Sequence, residues 1–378
     1  MRLGWREVEQ AFNGAVERHV FPGACVIARR GAEVLFQGAF GYRTIVPERH
    51  AVNIDIVFDL ASLTKVLATT IAVMMLVCEG KLRLDDRMTR FVPNFAVHGK
   101  DRVTIRHLLA HCSGLAAWRP YYKLLAEIEC GAKVNFMASP GAKQRIFEEI
   151  HRERLEAPPG AKTVYSDLNF IILGEAVEQA SGLSLQRFCQ DRIYRELCLT
   201  ATGFIDLSRA SSHKLGPLVD MFAATEQCSW RNRVLIGEVD DENAFAMGGV
   251  AGHAGLFAPV REVDRIAAEL IACYKGRSDM VAPKVVREFW TRDGAVEGST
   301  WALGWDTPSP HNSSSGHRFP PTAVGHLGFT GASIWIDPER EIAVSILTNR
   351  VHPSRDSQAI REFRPAIHDL IMEAIEGA

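Results

Sequence analysis

The chain has 378 residues, which is enough for one large domain of two lobes or for two ordinary domains. Charged residues make up 23% of the sequence and the net charge is −2, so neither a nucleic acid nor an anionic membrane is indicated as a partner. No apolar run reaches transmembrane length, and the N-terminal sequence lacks the apolar segment of a signal peptide. The eight cysteines are scattered, which favours a reducing compartment over a disulfide framework. We therefore expect a cytoplasmic protein without a membrane partner.

The first part of the chain predicts a helix, a hairpin and a buried helix. Apolar residues at helical spacing predict an amphipathic helix over residues 5–19. Two mainly apolar segments, 24–30 and 33–40, flank a short glycine-containing turn and predict a β-hairpin. No charged residue occurs within Val66–Cys78, so this segment predicts a helix that is buried on all sides.

Ser62 and Lys65 stand at the head of this buried helix. Residues three apart lie on the same helix face, so we expect the Lys65 nitrogen to be within reach of the Ser62 oxygen. Serine is a weak nucleophile until a neighbour takes its proton, and burial lowers the pKa of a lysine so that it can act as the base. The positive end of the helix dipole would favour negative charge developing at Ser62. The alternative is structural: a capping serine and a lysine whose charge reaches water.

The middle of the sequence predicts further helices. Residues 103–110 predict a short buried helix, and residues 116–150 are helical in character. The stretch Ala157–Gly160, which contains two prolines, is a firm break. A second apolar helix is predicted over Phe170–Ala180, with Gly182 as its stop.

Tyr165 precedes this second helix, and either Ser166 or Asp167 is its expected N-terminal cap. At the mouth of a helix the Tyr165 phenol can point into a cleft. The alternative is a half-buried tyrosine that packs the loop.

A glycine-rich stretch, Met247–Leu256, is not followed by the Gly-Lys-Ser/Thr of a phosphate-binding loop. We expect it to let the backbone come close to another segment. His253 within it is either structural or functional. His107 and His111 are four residues apart, but no third ligand accompanies them, so we interpret both as structural. No metal or cofactor is indicated.

The last part of the chain predicts mainly strands. They are expected at Trp301–Trp305, Ala323–Gly328, Ala332–Ile336 and Ile342–Thr348, with a turn over Asp337–Arg340. Helices are predicted over residues 261–275 and 356–375, and Pro308–Pro321 predicts a flexible loop.

Strands at both ends of the sequence, with helices between them, predict an α+β fold. The simplest arrangement is an antiparallel sheet from both chain ends, flanked by helices, with an inserted helical lobe. We expect a single domain over 1–378, with an α/β lobe of about 1–60 plus 255–378 and a helical lobe of about 61–254. The cleft between the lobes is the expected site.

Three motifs in the chain resemble those of serine β-lactamases and penicillin-binding proteins. They are Ser62-Leu-Thr-Lys65, Tyr165-Ser-Asp167 and His326-Leu-Gly328, which resemble S-x-x-K, Y-x-N and K-T-G. Linking stretches at 103–115, 159–160 and 252–257 extend the resemblance from about residue 10 to about residue 350. The class C type, with its esterase-like members, is the most similar. The resemblance implies the β-lactamase/transpeptidase-like fold.

The resemblance also implies a mechanism through an acyl-serine. Ser62 would attack an acyl carbon, while Lys65 and Tyr165 share the proton transfers, and which of them is the base stays open. Carried over by position, the oxyanion hole would consist of the backbone N–H groups of Ser62 and Phe329. No cofactor or metal is implied.

Departures from the K-T-G motif bear on the substrate. His326 and Leu327 replace the lysine and threonine that hold the substrate carboxylate in β-lactamases, whereas Gly328 is retained. A neutral imidazole supplies no fixed charge, and leucine has no hydroxyl. We therefore expect weak recognition of carboxylated β-lactams and of peptide C-termini.

Two other positions depart from the family pattern. Asp167 replaces the asparagine of Y-x-N and would raise the pKa of Lys65, which shifts the base role toward Tyr165. Trp118 stands where the class C enzymes often carry a polar residue, and it indicates an apolar acyl or alcohol pocket. We expect Trp118, Asp167 and His253 to contact the substrate together with the His326-Leu-Gly328 motif.

The sequence thus predicts a serine hydrolase that acts on small esters or amides, with at most modest β-lactamase activity. One alternative is a true class C-like β-lactamase or D-alanyl-peptide hydrolase, in which protonated His326 replaces the lysine and activity rises as the pH falls through about 6.5. The other alternative is a non-catalytic sensor that binds a ligand or keeps a stable acyl group. The expected partner is a small ester, amide or β-lactam.

Overall fold

The computed structural model describes residues 3–133, 135–208 and 216–377. The strands are β1 (Gly23–Arg30), β2 (Glu33–Thr44), β3 (His50–Ala51), β4 (Val57–Asp59), β5 (Gly203–Phe204), β6 (Ala224–Cys228), β7 (Arg233–Ile236), β8 (Leu256–Pro259), β9 (Val324–Leu327), β10 (Ser333–Asp337) and β11 (Ile342–Thr348). The α-helices are α1 (Leu3–Glu17), α2 (Thr70–Cys78), α3 (Ile105–Leu109), α4 (Tyr121–Ala132), α5 (Pro140–Arg152), α6 (Asp167–Ser181), α7 (Leu185–Cys189), α8 (Glu242–Ala246), α9 (Val260–Tyr274), α10 (Pro283–Phe289) and α11 (Ile360–Glu376).

The largest sheet joins both ends of the chain. Its strand order is β3-β2-β1-β11-β10-β9, and every neighbouring pair is antiparallel. In the central pair, β1 and β11, Ala24 lies opposite Thr348. The predicted α+β fold, with an antiparallel sheet built from the two chain ends, is confirmed.

Helices pack on both faces of this sheet. Because successive strand residues point to opposite faces, Val26 of β1 joins one hydrophobic cluster and Ile27 joins another. On the Val26 side, α1 packs against α11, and Phe12 lies 4.8 Å from Phe40 and 5.5 Å from Phe363 between ring centroids. On the Ile27 side, α9 packs against β1 and β11. The expectation of flanking helices is therefore correct.

The buried helix predicted after Ser62 is present. The chain makes a π-helical turn over Lys65–Thr69 and continues as α2, and every residue from Lys65 to Leu76 is buried. This helix packs against α6 and α10. The head of the helix, which carries Ser62, is thereby fixed in the interior of the fold.

The second apolar helix, α6, is held at both ends as the sequence predicted. The Ser166 hydroxyl caps its N-terminus by accepting a hydrogen bond from the Asn169 N–H. Gly182 ends it with a left-handed φ of 72°, a conformation that glycine adopts without strain. Tyr165 consequently lies just ahead of the first turn of α6.

Some predictions of local structure are wrong. Trp301–Trp305 is a tight turn with isolated bridges rather than a strand, because the Ala302 N–H donates back to the Trp305 carbonyl. The last helix begins at Ile360 instead of residue 356. The region 61–254, expected to be helical, also contains the short strands β5, β6 and β7. The division into two lobes stays a prediction.

Three further features concern the chain as a whole. All eight cysteines are free thiols. None of the helices in the described ranges is both long and apolar enough to cross a membrane. Within the same ranges, no group of three or more His, Cys, Asp or Glu side chains is placed to hold a metal ion.

Candidate active site

Ser62 follows a turn that the carboxylate of Asp59 fixes. Asp59 accepts hydrogen bonds from the N–H of Ala61 at 2.8 Å and from the N–H of Asp240 at 2.7 Å. Ala61 has a left-handed φ of 46°, which is uncommon for a residue with a side chain. The turn places Ser62 at the wall of a cavity of about 1060 Å³.

Lys65 lies fully buried beside Ser62. Its Nζ donates hydrogen bonds to Ser62 Oγ at 3.0 Å, to Asp167 Oδ1 at 2.7 Å and to the carbonyl oxygen of His253 at 3.1 Å. The expected proximity of the lysine nitrogen and the serine oxygen is therefore found. The three acceptors satisfy the three donors of an ammonium group.

The charge state of Lys65 differs from the first expectation. Burial lowers the pKa of Lys65, but the Asp167 carboxylate and the Tyr165 hydroxyl raise it more, so that the pKa lies above its usual value. This direction is opposite to the one that burial alone would produce for a lysine base, because the partner acts as well. It agrees in direction with the expected effect of Asp167, and the choice between Lys65 and Tyr165 as the base stays a prediction.

The phenol of Tyr165 completes this group. The Lys65 nitrogen lies 4.9 Å from the centroid of the Tyr165 ring, and Tyr165 and Ser62 line the same cavity. Loss of hydration around the hydroxyl and the charge of Asp167 raise the pKa of Tyr165, which is still 36% exposed as a whole residue, while the ammonium of Lys65 opposes them and the net pKa is above its usual value. In the resting site Tyr165 is therefore a neutral phenol whose anionic form Lys65 stabilises.

Tyr165 belongs to a cluster of four rings. Its ring centroid lies 4.8 Å from that of His111, 5.4 Å from that of Trp301 and 5.9 Å from that of His326. His111 Nδ1 accepts a hydrogen bond from the N–H of Ser166, so its proton is on Nε2. Burial, Lys65 and His326 hold the pKa of His111 well below its usual value. His111 is structural, as expected, but it also packs on the candidate catalytic phenol.

His326 is neutral in this setting. Its Nδ1 donates to the carbonyl of Leu327 at 2.8 Å, which leaves Nε2 as an acceptor without a partner in the described residues. Burial and the nearby Lys65 charge lower the pKa of His326 to about 3. A histidine with this pKa is not protonated between pH 5 and 8, which contradicts the alternative in which its charge replaces the motif lysine.

The cavity brings the predicted site residues together. It is lined by every predicted site residue except Lys65: Ser62, Trp118, Tyr165, Asp167, His253, His326, Leu327, Gly328 and Phe329. Lys65 lies behind Ser62. His253 also has a structural part, because its carbonyl binds Lys65 and its Nε2 lies 3.0 Å from Asp241 Oδ1. The contacts of these side chains with a substrate stay predictions.

The cavity also contains residues that the sequence analysis did not single out. Among them are an acidic wall (Asp240, Asp241 and Glu242), three arginines (Arg350, Arg361 and Arg364) beside a fourth, Arg355, that is paired with Glu226 and Glu242, and two aromatic neighbours (Tyr122 and Trp301). Of these residues, only two arginines show a recognisable spacing in the sequence, since Arg361 and Arg364 are three residues apart and share a helix face. The remaining residues follow no motif spacing.

The three arginines have no ion-pair partner among the described carboxylates. Arg364 and Arg350 donate to backbone carbonyls instead, and Arg364 is only 8% exposed. Burial and the charges of Arg350 and Arg361 lower the pKa of Arg364 to about 10. The cavity therefore contains three guanidinium groups without a carboxylate partner among the described residues, and that of Arg350 lies 4.7 Å from the centroid of the Phe329 ring.

Comparison with known proteins identifies the family. The family model described as Beta-lactamase matches residues 8–367. The chain belongs to the β-lactamase family. A relative from Escherichia coli (strain K12), provisionally named a D-alanyl-D-alanine carboxypeptidase, is 33% identical over 317 residues, or 80% of this chain and 71% of the relative. A relative of the same name from Salmonella agona (strain SL483) is 29% identical over 88% of this chain and 79% of its own.

Solved structures of proteins that resemble this chain support the same fold. EstCE1, a hydrolase with promiscuous acyltransferase activity, superposes with a TM-score of 0.73 at 21% identity, covering 98% of both chains. The octameric penicillin-binding protein homologue from Pyrococcus abyssi gives 0.73 at 21% identity, covering 99% of this chain and 77% of its own. The predicted β-lactamase/transpeptidase-like fold and serine hydrolase class are confirmed.

Proposed function

We propose that this β-lactamase-family hydrolase cleaves small esters or amides through an acyl group on Ser62. The observation that carries the proposal is the group of Ser62, Lys65 and Tyr165, with 3.0 Å between Ser62 Oγ and Lys65 Nζ and 4.9 Å between Lys65 Nζ and the centroid of the Tyr165 ring. A nucleophile within hydrogen-bonding distance of a charged partner, with a second titratable group beside it, is an arrangement suited to covalent catalysis.

The charges of the site favour one division of the proton transfers. Asp167 keeps Lys65 as an ammonium, so Lys65 acts by stabilising anionic forms of its neighbours. The fraction of Tyr165 that has lost its proton to solvent, and whose phenolate Lys65 stabilises, takes the proton of Ser62 while Ser62 Oγ bonds to the acyl carbon. Tyr165 then gives this proton to the leaving oxygen or nitrogen. A water molecule releases the acyl group by the reverse sequence.

Hydrolysis of a short-chain p-nitrophenyl ester tests this proposal. We expect Ser62→Ala to reduce kcat/KM by about a thousandfold or more, since the nucleophile is lost. Ser354→Ala, which changes an exposed serine, is the matched control and should keep wild-type activity. Activity that survives Ser62→Ala contradicts the proposal. A lasting mass adduct on Ser62 without turnover would favour the sensor alternative.

The arginines favour a second candidate function, the hydrolysis of peptides that end in a carboxylate. Arg350 and Arg361 line the cavity without a carboxylate partner among the described residues, and a substrate carboxylate would supply one. The relatives named D-alanyl-D-alanine carboxypeptidase fit such a substrate. This candidate revises the expectation of weak carboxylate recognition, which considered only the loss of the motif lysine.

Comparing a charged and a neutral substrate tests the second candidate. We expect Arg361→Gln to raise KM about tenfold for a peptide ending in D-alanyl-D-alanine, since one charge-assisted hydrogen bond is worth roughly 1.5–3 kcal/mol. The neutral ester should be hydrolysed as by the wild type. Arg265→Gln, an exposed change on α9, is the control. Equal effects on both substrates would contradict carboxylate binding by Arg361.

A further inference from the structure

The turn between β9 and β10 is held by two arginines from elsewhere in the fold. Arg364 Nη2, on α11, donates to the carbonyl of Gly328 at 2.9 Å and to that of Ala332 at 3.1 Å. Arg350 Nε, just after β11, donates to the carbonyl of Phe329 at 2.9 Å. The turn thus depends on guanidinium groups in addition to its own backbone hydrogen bonds.

The Gly328 carbonyl and the Phe329 N–H belong to the same peptide group. A trans peptide is planar, and its C=O and N–H point in opposite directions. Because Arg364 binds the C=O on one side, the Phe329 N–H is aimed to the other side. No acceptor for this N–H occurs among the described residues.

The turn that contains this peptide packs against the chain that leads to Ser62. A Cβ on Gly328 would lie 2.7 Å from the Leu60 carbonyl oxygen, so the two backbones are in contact here. Thr330 Oγ1 also donates to the Asp59 carbonyl at 2.8 Å. Ser62 and Phe329 line the same cavity. An oxygen on an acyl carbon bound to Ser62 would therefore develop its charge in the same cavity that Phe329 lines.

The charge of Arg364 is costly for a purely structural role. Arg364 is buried near Arg350 and Arg361, and its Nε has no partner among the described residues. A buried charge without a counterion is unfavourable, whereas a neutral amide could donate to the same carbonyls at lower cost. A guanidinium differs from an amide in that it polarises the peptide to which it binds, and hydrogen bonds in such a chain strengthen one another.

We propose that Arg364 is a positioning residue for the oxyanion hole, because it orients and polarises the Gly328–Phe329 peptide. This inference rests on the proposed function of Ser62. When Ser62 Oγ bonds to the acyl carbon, the carbonyl π electrons move to its oxygen and the serine proton passes to Tyr165. The resulting oxyanion accepts hydrogen bonds from the N–H groups of Ser62 and Phe329, and Arg364 itself neither gains nor loses a proton.

The Arg364→Gln variant tests the inference with the p-nitrophenyl ester. We expect kcat to fall 10- to 100-fold with KM within twofold of wild type, since the lost stabilisation belongs to the transition state. Inhibition by phenylboronic acid, whose boron becomes tetrahedral and anionic when Ser62 Oγ adds to it, should weaken by a similar factor. Arg30→Gln also removes an arginine bond to a carbonyl, that of Ile375, and is the control with wild-type kcat.

The outcomes separate this inference from the proposed function. Wild-type activity that survives Ser62→Ala overturns both. A second outcome is that activity is lost in Ser62→Ala, whereas Arg364→Gln keeps the wild-type kcat and boronate affinity. That outcome overturns only the role of Arg364. If Arg364→Gln does not fold, Arg364→Lys keeps the charge but not the two-carbonyl contact, and we expect a kcat several-fold below wild type. A wild-type kcat and boronate affinity in folded Arg364→Lys would overturn the role.

Discussion

The ion pair of Lys65 and Asp167 sets the charge of the candidate site. Lys65 is completely buried, and its pKa is still raised, because the carboxylate lies 2.7 Å from its nitrogen. The two effects act in opposite directions, and the specific partner outweighs the burial. A substitution at Asp167 therefore tests which charge state the chemistry uses.

We expect Asp167→Asn to move the pH dependence of ester hydrolysis toward acid by about one pH unit or more. Without the carboxylate, the pKa values of both Lys65 and Tyr165 decrease, since Asp167 raises both. A larger fraction of the base is then deprotonated at a given pH. The measurement is kcat/KM from pH 5 to 9. The control is Asp264→Asn, which breaks a buried ion pair with Arg29 away from the cavity. This variant should show the same dependence of kcat/KM on pH as the wild type.

The wild-type profile itself distinguishes two roles of His326. Since the pKa of His326 is about 3 and both candidate bases have raised pKa values, we expect kcat/KM to rise with pH between 5 and 8. His326→Asn should change the level of activity but not the shape of this profile. An increase as the pH falls through 6.5, lost in His326→Asn, would restore the role of a protonated histidine.

Only part of the candidate site could be predicted from the sequence. Ser62 and Lys65 were accessible because a three-residue helical spacing is local, and Tyr165 because it precedes a helix. Arg364 contacts Gly328 across 36 residues, and Asp240 donates to Asp59 across 181, so no local spacing marks them. Trp301, which was assigned to a strand, instead packs against His111 and Tyr165.

The glycine-rich stretch connects the Lys65 helix to α6. A Cβ on Gly252 would lie 2.0 Å from the Phe170 carbonyl oxygen and 3.0 Å from the Gly174 nitrogen. The Gly252 carbonyl accepts a hydrogen bond from Thr69 Oγ1, and the next carbonyl, that of His253, binds Lys65. The predicted close backbone approach is therefore confirmed, and it joins three elements around Lys65.

We expect Gly252→Ala to lower the free energy of unfolding by about 1–3 kcal/mol or more, since its methyl group overlaps backbone that cannot move independently. Gly252 does not have a positive φ, so the effect is steric. Displacing this stretch should also lower kcat, because it moves an acceptor of Lys65. Thermal unfolding and ester hydrolysis measure the two effects.

Gly131→Ala is the matched control for this substitution. Gly131 lies in α4, and nothing is within 4 Å of the position of its Cβ. Alanine is the better helix former by roughly 0.5–1 kcal/mol, so this variant should be slightly more stable than the wild type. Equal stability of the two alanine variants would show that Gly252 is not tightly packed.

Elements were predicted well where their pattern came from local geometry. The buried helix has a continuous apolar sequence, and α6 is marked by Ser166 and Gly182, which directly precede and follow it in the chain. The strand predicted over Trp301–Trp305 was wrong because the apolar residues there reflect burial, and Trp305 is wholly inaccessible to solvent. Burial alone does not select a strand. The start of α11 was misplaced because no N-cap hydrogen bond marks Ile360.

At the scale of the molecule, the pairing of β1 with β11 closes the fold. The Asn349 side chain reinforces this closure, since it accepts from the Gly23 N–H and donates to the Arg43 carbonyl. The strand types predicted a sheet from both ends, but the order β3-β2-β1-β11-β10-β9 depends on long-range contacts that the sequence does not encode locally. Gly23 and Asn349 are such a contact.

Two buried carboxylates make the stability of the whole molecule depend on pH. Burial, Asp59 and Glu226 raise the pKa of Asp240 to about 7, and burial raises the pKa of Asp59 to about 6. Both lie above the value of 3.8 for an exposed aspartate. Between these values the folded state binds more protons than the unfolded state, so the free energy of unfolding decreases as the pH rises. Above about pH 7 both carboxylates are ionised in the folded state, and the full cost of their buried charges lowers the free energy of unfolding.

Asp240→Asn should remove much of this pH dependence. The amide keeps the shape of the side chain and cannot ionise, so the variant should lose less stability than the wild type between pH 5 and pH 8, and it should be the more stable protein at pH 8. Thermal unfolding at the two pH values measures both effects. Asp55→Asn, an exposed change, should follow the wild type. If Asp240→Asn also follows the wild type, then Asp240 is ionised in the folded state at pH 5, and the positive charge of Arg355 outweighs its burial.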